Sequence, residues 1–519
     1  MAYLVHHKNK KTGVVYVFSA ESYWDKEKKA PRNRQVCLGK LDPETGEIIP
    51  TRRKRKIVER AVAAGATATT KVIGPSVILS NVAKETGLAT LLKRCFPEEH
   101  SDILSLLYFI VQRGLPLSRC ESWSLSHRHP AGLPIASQRI SELLQTMKED
   151  DRQRFHALWL EKVLEHDYLC YDITSISSYA KGNEYIRYGY NRDGEKLPQL
   201  NLALLFGQKS GLPAYYRRMQ GNITDVATLH NTLDSLDSLG RRPVHVVLDR
   251  GFYSQANVDE LLESRHHFTM AVPSLRKWVQ TYIDEHIDRI ALPQNYHKLE
   301  GADPLFAVSV LHKWGPKRRR TYLHLYYNAK QAAVEFDQFT SDLLKYKEEI
   351  ESDKRVAAHE EYYERFFIVK RTPKRGLSVK YNNEAILKHR ERYAGFFCVL
   401  STVFKDPMDA LRTYRQKDVI ENSFDDLKNQ MDMKRLRVHS SAAMDTRIFL
   451  QFLALILLSH IRHVAQAHKP TQKLGVRELM EHMESITQIT YSGRYGSVIT
   501  EANPIQREIL KAFGIEKLT

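Results

Sequence analysis

Cysteine is scarce and scattered in this chain of 519 residues. Its five cysteines lie far apart and never in a Cys-x-x-Cys spacing: Cys37, Cys95, Cys120, Cys170 and Cys398. The sequence therefore lacks the pattern of a disulfide framework or of a zinc knuckle, and this spacing is typical of a protein in a reducing compartment.

Long apolar runs are also missing. The opening MAYLVHHKNKKTG lacks the apolar stretch of a signal peptide. The longest apolar run, IFLQFLALILLSHI (448–461), is too short to cross a bilayer and contains Gln451 and His460, so we interpret it as a buried helix. These features predict a soluble, cytoplasmic protein.

Acidic residues are too few to balance the basic ones. Lys and Arg number 78 against 61 Asp and Glu, which gives a formal net charge of +17. A surplus of this size favours a polyanionic partner such as nucleic acid, because basic surfaces bind it by releasing counterions. A basic protein without such a partner is the alternative.

The hydrophobic pattern changes several times along the chain. Short alternating runs in residues 1–50 predict a β-meander, and helical periodicity dominates residues 76–165. The basic run TRRKRK (51–56) is either a solvated linker or an arm that contacts phosphates. From residue 166 strands alternate with helices, which predicts a mixed α/β layer structure.

Asp172 lies within the first predicted strand of that region, in the apolar run LCYDITS. Burial of a lone carboxylate is costly, so this acid needs a partner. That partner is either an ordinary Lys or amide group, or a ligand.

Asp249 ends a second apolar strand, VHVVLD, and is followed by Arg-Gly. Ligands gather at the carboxyl ends of strands in sheets of this kind. The alternative is an ordinary turn acid before a helix that Ser254 caps.

Residues 414–428, YRQKDVIENSFDDLK, contain the third candidate acid. A helical period of about 100° per residue sorts the side chains into three groups. The core-facing group is Ile420, Phe424, Leu427 and Met431. A group beside it comprises Tyr414, Lys417, Glu421 and Lys428. The group predicted to face solvent is Asp418, Asn422, Asp425, Asp426 and Asn429.

Glu421 is the only acid of the middle group, which also contains Lys417 and Lys428. A surface Lys–Glu pair is one interpretation. In the other, Asp172, Asp249 and Glu421 converge on paired divalent metals, which activate a water or a 3′-hydroxyl in phosphodiester chemistry. Hard oxygen ligands suit Mg²⁺ or Mn²⁺.

Four blocks in this order resemble the DDE transposases of bacterial insertion sequences, in the insertion-sequence-4 superfamily and its 1634-type branch. The blocks are YDITSIS, GLPAYYRRMQGNITDVATL, VVLDRGFYS and YRQKDVIENSFDDLK. The N-terminal VCLGKLDPETGEIIP is similar to the same branch. The resemblance covers most of the chain and maps the family's Asp, Asp and Glu onto Asp172, Asp249 and Glu421.

The family's signature around the glutamate is Tyr, two residues, Arg, three residues, Glu, six residues, Lys. This chain has Tyr414, Lys417, Glu421 and Lys428, so a lysine stands where the family has arginine. The resemblance implies that these three neighbours of the glutamate bind DNA. A lysine neutralises a phosphate only as a point charge, which leaves a hairpin route of cleavage open to question.

The resemblance also implies a ribonuclease-H-like core, with Asp172 on its first strand and Asp249 after its fourth. It implies cleavage at element ends with two Mg²⁺ or Mn²⁺ ions, attack of the 3′-hydroxyl on target DNA, a homodimer in the synaptic complex, and a bacterial, nucleoid-associated location. The expected segments are an N-terminal β-rich part (1–60), a helical DNA-binding region (61–165), a divided catalytic core (166–275 and 394–470), an insertion domain (276–393) and a C-terminal helical tail (471–519).

Two matters stay open from the sequence. Trp278 and Trp314 are either stacking partners for an unpaired base or ordinary packed tryptophans. A DNA-binding protein with an inactive or repurposed core, and a ribonuclease-H-like nuclease, are the alternatives to an active transposase.

Overall fold

The computed structural model describes residues 2–10, 12–25, 30–49, 67–163, 168–180, 182–240, 243–299, 301–372, 376–438, 440–492 and 496–518. The basic run 51–56 lies outside these residues. The chain divides into two compact units, one of residues 1–69 and 489–498, the other of residues 70–488 and 499–519.

The first unit contains the predicted β-meander. Four antiparallel strands pair in chain order: β1 (Ala2–Lys8), β2 (Val15–Asp25), β3 (Ala30–Leu41) and β4 (Ile48–Ile49). Val17 and Ala20 are fully buried, while several larger apolar side chains of these strands are exposed.

The second unit begins with the predicted helical region. A short strand, β5 (Ala68–Val72), whose first two residues belong to the first unit, precedes six helices: α1 (Gly74–Glu85), α2 (Leu88–Cys95), α3 (His100–Arg113), α4 (Cys120–Ser126), α5 (Ser137–Thr146) and α6 (Glu149–Val163). Helix α3 is apolar around most of its surface and is buried over most of its length, as expected for a core helix.

A strand meander and two crossovers then build the centre of a ten-stranded mixed sheet. Its elements are β6 (Leu169–Ser178), β7 (Gln199–Gly207), β8 (Pro213–Gln220), α7 (Asp225–Ser238), β9 (His245–Leu248), α8 (Gln255–Glu263) and β10 (His267–Val272). Strands β6, β7 and β8 are antiparallel, and β9 and β10 lie parallel to β6 on its other side. The spatial order β8-β7-β6-β9-β10 is that of the expected ribonuclease-H-like core.

Residues 276–393, the expected insertion, contribute to two different structures. Helix α9 (Lys277–Ile290) and strands β11 (Tyr296–Leu299), β12 (Ala302–Trp314) and β13 (Arg319–Tyr327) come first. Then come α10 (Ala329–Glu351), α11 (Glu360–Phe366), β14 (Phe367–Thr372), β15 (Gly376–Tyr381), α12 (Asn383–Lys388) and β16 (Phe396–Ser401). Strands β11–β13 extend the main sheet: β13 pairs with β16, and β16 pairs with β10. The elements between β13 and β16, from α10 to α12, form a separate small core around Phe339 and Phe366. The domain boundaries themselves stay a prediction.

The chain returns to the core with helices that cover the sheet. The elements are α13 (Pro407–Arg415), α14 (Asp418–Asp425), β17 (Arg435–Leu436), α15 (Ser441–Ala467), α16 (Val476–Met483), β18 (Thr487–Tyr491), β19 (Ser497–Ile499) and α17 (Pro504–Ala512). The segment predicted as a helical tail thus also contains two strands.

Helix α15 contains the apolar run 448–461 and is longer than that run. Its length and composition suffice to cross a membrane, but 78% of its most apolar stretch is buried inside the protein. It packs against α1, α3, α5 and β8. The prediction of a buried helix is confirmed. A helix can be apolar on all sides when other elements of the protein surround it.

Candidate active site

Strand register brings the two predicted aspartates together. In the parallel ladder between β6 and β9, Tyr171 lies opposite Leu248, so the next positions on the two strands are Asp172 and Asp249. Beyond this point β9 ends and β6 continues. Both acids therefore lie where the two parallel strands part, at the carboxyl end of β9, where sheets of this kind bind ligands.

Asp172 is the one residue of β6 that is not fully buried. Its Oδ1 accepts a hydrogen bond from the backbone N–H of Ile173 at 2.7 Å. Burial, together with the smaller effect of the neighbouring Asp249 carboxylate, raises the pKa of Asp172 to about 6 against the hydrogen bond from Ile173 and the positive charge of Arg192. Desolvation thus favours the protonated form of this carboxyl.

Asp249 has a different environment. Burial alone would raise the pKa of Asp249, but a hydrogen bond from Tyr414 and the positive charge of Lys417 outweigh it, so the pKa lies below its ordinary value. Tyr414 donates its hydroxyl to Asp249 Oδ1 at 2.6 Å, and Lys417 Nζ lies 3.1 Å from the same oxygen. The two acids of the pair therefore prefer opposite protonation states near pH 5.

The segment 414–428 is not one helix. Helix α13 ends at Arg415, a turn at residues 416–417 follows, and α14 is succeeded by a π-helical turn, Asp426–Gln430. Because of the break, Tyr414 and Lys417 lie at the end of α13, which packs against β9 and β10, whereas α14 packs against β6 and β7. Glu421 belongs to α14, and its side chain lies outside the described part of the structure.

Two positions of this segment differ from their predicted surroundings. Asp426, expected in solvent, is fully buried and forms an ion pair with Arg462. The prediction was wrong because α15, which contains Arg462, packs against this side of the π-turn, and a helical period does not show where a distant helix will lie. Lys428 donates to both carboxylate oxygens of Asp193 at 2.7 Å, so in this structure its charge is paired within the protein.

The two tryptophans are packed within the protein. Trp314 is 7% exposed and donates to Asp259 Oδ1 at 2.6 Å. Trp278 donates to the Tyr253 hydroxyl at 2.9 Å and stacks on His312. Both side chains are therefore ordinary packed tryptophans, the second of the two interpretations offered by the sequence. Trp314 has no exposed face on which a base could stack.

The two aspartates have the donor atoms of a metal site. Asp172 and Asp249 present hard carboxylate oxygens at adjacent positions, and their mutual repulsion together with burial is what a divalent cation relieves. The pair therefore fits a hard divalent cation. Among the described residues, a group of three possible ligands lies elsewhere, on α7 and α8. The ligand atoms of His230, Asp234 and Glu260 are close enough together there to hold an ion.

Sequence reasoning missed several neighbours of the site. Arg192, in the connection between β6 and β7, lies near enough to Asp172 to lower its pKa. Asp193 and Glu195 in the same connection form ion pairs with Lys428 and Arg435. Nothing in the local pattern around residue 190 singles out these contacts, because the partners of Asp193 and Glu195 are more than 200 residues away and Asp172 lies on a different element from Arg192.

Sheet order and paired acids define a class: ribonuclease-H-like proteins that process nucleic acids. Comparison with known families agrees, since the model described as Transposase DDE domain matches residues 164–457, more than half of the chain. The chain belongs to this family. It is a DNA transposase, an enzyme that cleaves and joins phosphodiester bonds with the help of a metal.

No curated protein sequence matches the chain. Among solved structures, one similar chain is that of the cryo-EM structure of a piggyBac transposase synaptic complex with hairpin DNA. The identity is 10%, the TM-score is 0.37, and the match covers 79% of this chain and 77% of that one.

Proposed function

We propose that this transposase cleaves DNA at the ends of an insertion sequence of the insertion-sequence-4 superfamily, 1634-type branch. It then joins the freed 3′-hydroxyl to target DNA. Asp172, Asp249 and Glu421 are the catalytic residues. The observation that carries the proposal is the placement of Asp172 and Asp249 at adjacent register positions, with α13 and α14 packed over their strands.

Asp172, Asp249 and Glu421 would hold the metal, Mg²⁺ or Mn²⁺, as two ions. When bound, the metal supplies a more acidic water and charge neutralisation at the leaving oxygen. Asp249 is held ionised by Tyr414 and Lys417, so it is ready to bind a cation at neutral pH. Burial raises the pKa of Asp172 to about 6, so Asp172 would be ionised and able to bind the cation above that pH and would be protonated below it.

Tyr414, Lys417 and Lys428 are the proposed DNA contacts beside the acids. Tyr414 and Lys417 both contact Asp249 Oδ1, so a phosphate arriving at the site would meet a hydroxyl and an ammonium group already in position. Lys428 would have to leave Asp193 to take part. The proposed assembly is a homodimer that synapses two element ends in the bacterial cytoplasm, on the nucleoid.

The experiment is cleavage of DNA that carries the element's terminal repeats, which are identified from the inverted repeats and the short target duplication flanking the gene. We expect nicking in Mg²⁺ and a loss of at least about 100-fold in Asp249→Ala, because even groups that only support metal ligands are worth about 10–100-fold. Asp234→Ala, in the exposed cluster on α7 and α8, is the matched control and should cleave normally.

Normal cleavage by Asp249→Ala would refute the assigned site. Specific binding of the ends without any product in Mg²⁺ or Mn²⁺ would instead identify a repurposed core. Cleavage that ignores the terminal repeats would identify a nuclease of a different specificity.

A further inference from the structure

Two of the most exposed aromatic side chains in the described structure lie in the connection between β6 and β7. Tyr188 and Tyr190 are 73% and 82% exposed, respectively. Large aromatic rings are usually at least partly covered in folded proteins, because exposure of their apolar surface is unfavourable. Two such rings only two positions apart indicate a surface that another molecule covers.

The backbone beneath these rings is held firmly. The Tyr190 carbonyl accepts from Gln199 Nε2 at 2.8 Å, and Arg187 exchanges two backbone hydrogen bonds of 2.9 Å with Gln199. Gly189, between the two tyrosines, lies so close to Gly221 that a Cβ atom there would come within 1.9 Å of the Gly221 carbonyl oxygen. The rings are therefore exposed on an ordered backbone, and not on a loose one.

The charges around the rings suit a polyanion. Asp193 and Glu195, the acids that follow the tyrosines, are neutralised by Lys428 and Arg435. Arg187 and Arg192 flank the pair in sequence. A phosphate backbone passing this surface would meet arginines on either side of the aromatic pair, and positive charge next to aromatic rings is the combination by which proteins bind unpaired nucleic acid.

Arg192 links this surface to the candidate active site, since it contacts Ser175 and its charge also acts on Asp172. Ser175 Oγ lies 3.5 Å from the Tyr190 carbonyl oxygen and 3.4 Å from a guanidinium nitrogen of Arg192. Ser175 is three residues beyond Asp172 on β6, about 10 Å along the strand, with its side chain on the opposite face of the sheet. That distance corresponds to about three nucleotides of a stacked strand.

We propose that Tyr188 and Tyr190 form a stacking platform for unpaired bases of a DNA end, a few nucleotides from the phosphate at Asp172 and Asp249. The Cα atoms of the two tyrosines are at most about 7 Å apart, so their rings can engage the same base or neighbouring ones. This inference rests on the proposed function, since it assigns a strand position relative to the cleaved bond.

The test is binding of the full-length protein, in EDTA, to a duplex with a four-nucleotide unpaired tail of thymidines or of abasic residues. Both the 3′-tailed and the 5′-tailed duplexes are measured. We expect one polarity to bind about tenfold or more tighter with bases than without them, the size expected when an aromatic side chain stacks on a base. The Tyr188→Ala/Tyr190→Ala double variant should bind the two tails equally.

Two controls separate stacking from other roles. Tyr188→Phe/Tyr190→Phe should retain the preference for base-bearing tails, because the ring is kept and only the hydroxyl is lost. Tyr296→Ala removes an exposed tyrosine from β11, at the far edge of the same sheet, and should behave as the unmodified protein. Circular dichroism verifies that each variant is folded.

Equal binding of base-bearing and abasic tails by the unmodified protein would overturn the platform, as would an undiminished preference in the double alanine variant. Loss of the preference in the phenylalanine variant would also overturn stacking. A changed oligomeric state without any tail preference would assign the tyrosines to an interface between copies of the chain. Asp249→Ala should lose cleavage yet keep the tail preference, so the two proposals fail separately.

Discussion

At the scale of single residues, Asp172 and Asp249 are adjacent acids with opposite electrostatic surroundings. Asp172 is favoured as the neutral acid and Asp249 as the anion. When both are ionised, the two carboxylates repel each other and a bound cation would relieve this repulsion; without the cation, the buried Asp172 carboxylate destabilises the fold. This cost can be measured.

Asp172→Asn should stabilise the metal-free protein at neutral pH. The folded pKa of about 6 lies above the ordinary 3.8, so the penalty is absent below pH 4, grows as the pH rises and is complete above about pH 6. The gain at pH 7.5 is expected to be on the order of 1–3 kcal/mol, observed as a higher melting temperature in EDTA. Asp249→Asn is the control and should lower the melting temperature, because the Asp249 carboxylate has favourable partners that the amide loses. Equal shifts in melting temperature for Asp172→Asn at pH 4 and pH 7.5 would contradict this account.

Lys417 is the position at which the chain departs from the resemblance. Lys417→Ala removes a cation 3.1 Å from Asp249, so the pKa of Asp249 should rise and the acid limb of the pH–rate profile should move to higher pH. Loss of a charge-assisted contact should also slow cleavage by about 10-fold or more. Lys417→Arg should keep both properties, and a profile that Lys417→Ala leaves unmoved would show that Asp249 does not depend on it.

At the scale of secondary-structure elements, the break after α13 and the π-turn after α14 decide which side chains surround the acids. Asp426 connects the π-turn to α15. Its Oδ1 accepts a hydrogen bond from the Gln430 side-chain amide at 2.8 Å and forms an ion pair with Arg462 of α15. Burial raises the pKa of Asp426 to about 6 even with this partner. The pair thus joins the segment that contains Glu421 to the central helix.

Arg462→Ala should be strongly destabilising, because it leaves a buried carboxylate without its cation. Breaking such a pair costs about 3–5 kcal/mol. Adding Asp426→Asn to Arg462→Ala should recover much of the loss, since the remaining amide carries no charge. Thermal unfolding of the two variants measures this; a double variant no more stable than Arg462→Ala alone would argue against the ion pair.

At the scale of the whole molecule, α15 is the helix around which the second unit is assembled. Leu453→Ala, at a fully buried position, should cost about 2–5 kcal/mol through lost burial and a cavity. His463→Ala, at an exposed position near the end of the same helix, should change the melting temperature little. Equal effects of the two substitutions would show that the helix is not packed as described.

Much of the fold was predictable because its signals are local. The apolar strands around Asp172 and before Asp249, the Ser254 cap and the buried helix 448–461 each depend on residues close in sequence, and each is confirmed. The meander at the N-terminus follows from alternation in the same way. These patterns survive folding because backbone hydrogen bonding and side-chain burial repeat with a fixed local period.

Other features depend on contacts between distant residues. The sequence by itself determined the α/β class, the two aspartates and the resemblance that joins them to Glu421. Only the tertiary structure decided that the first half of the expected insertion extends the main sheet, that Asp426 is buried on Arg462, and that Lys428 is paired with Asp193. Each of these requires a partner far away in the chain, and no local period encodes where such a partner will lie.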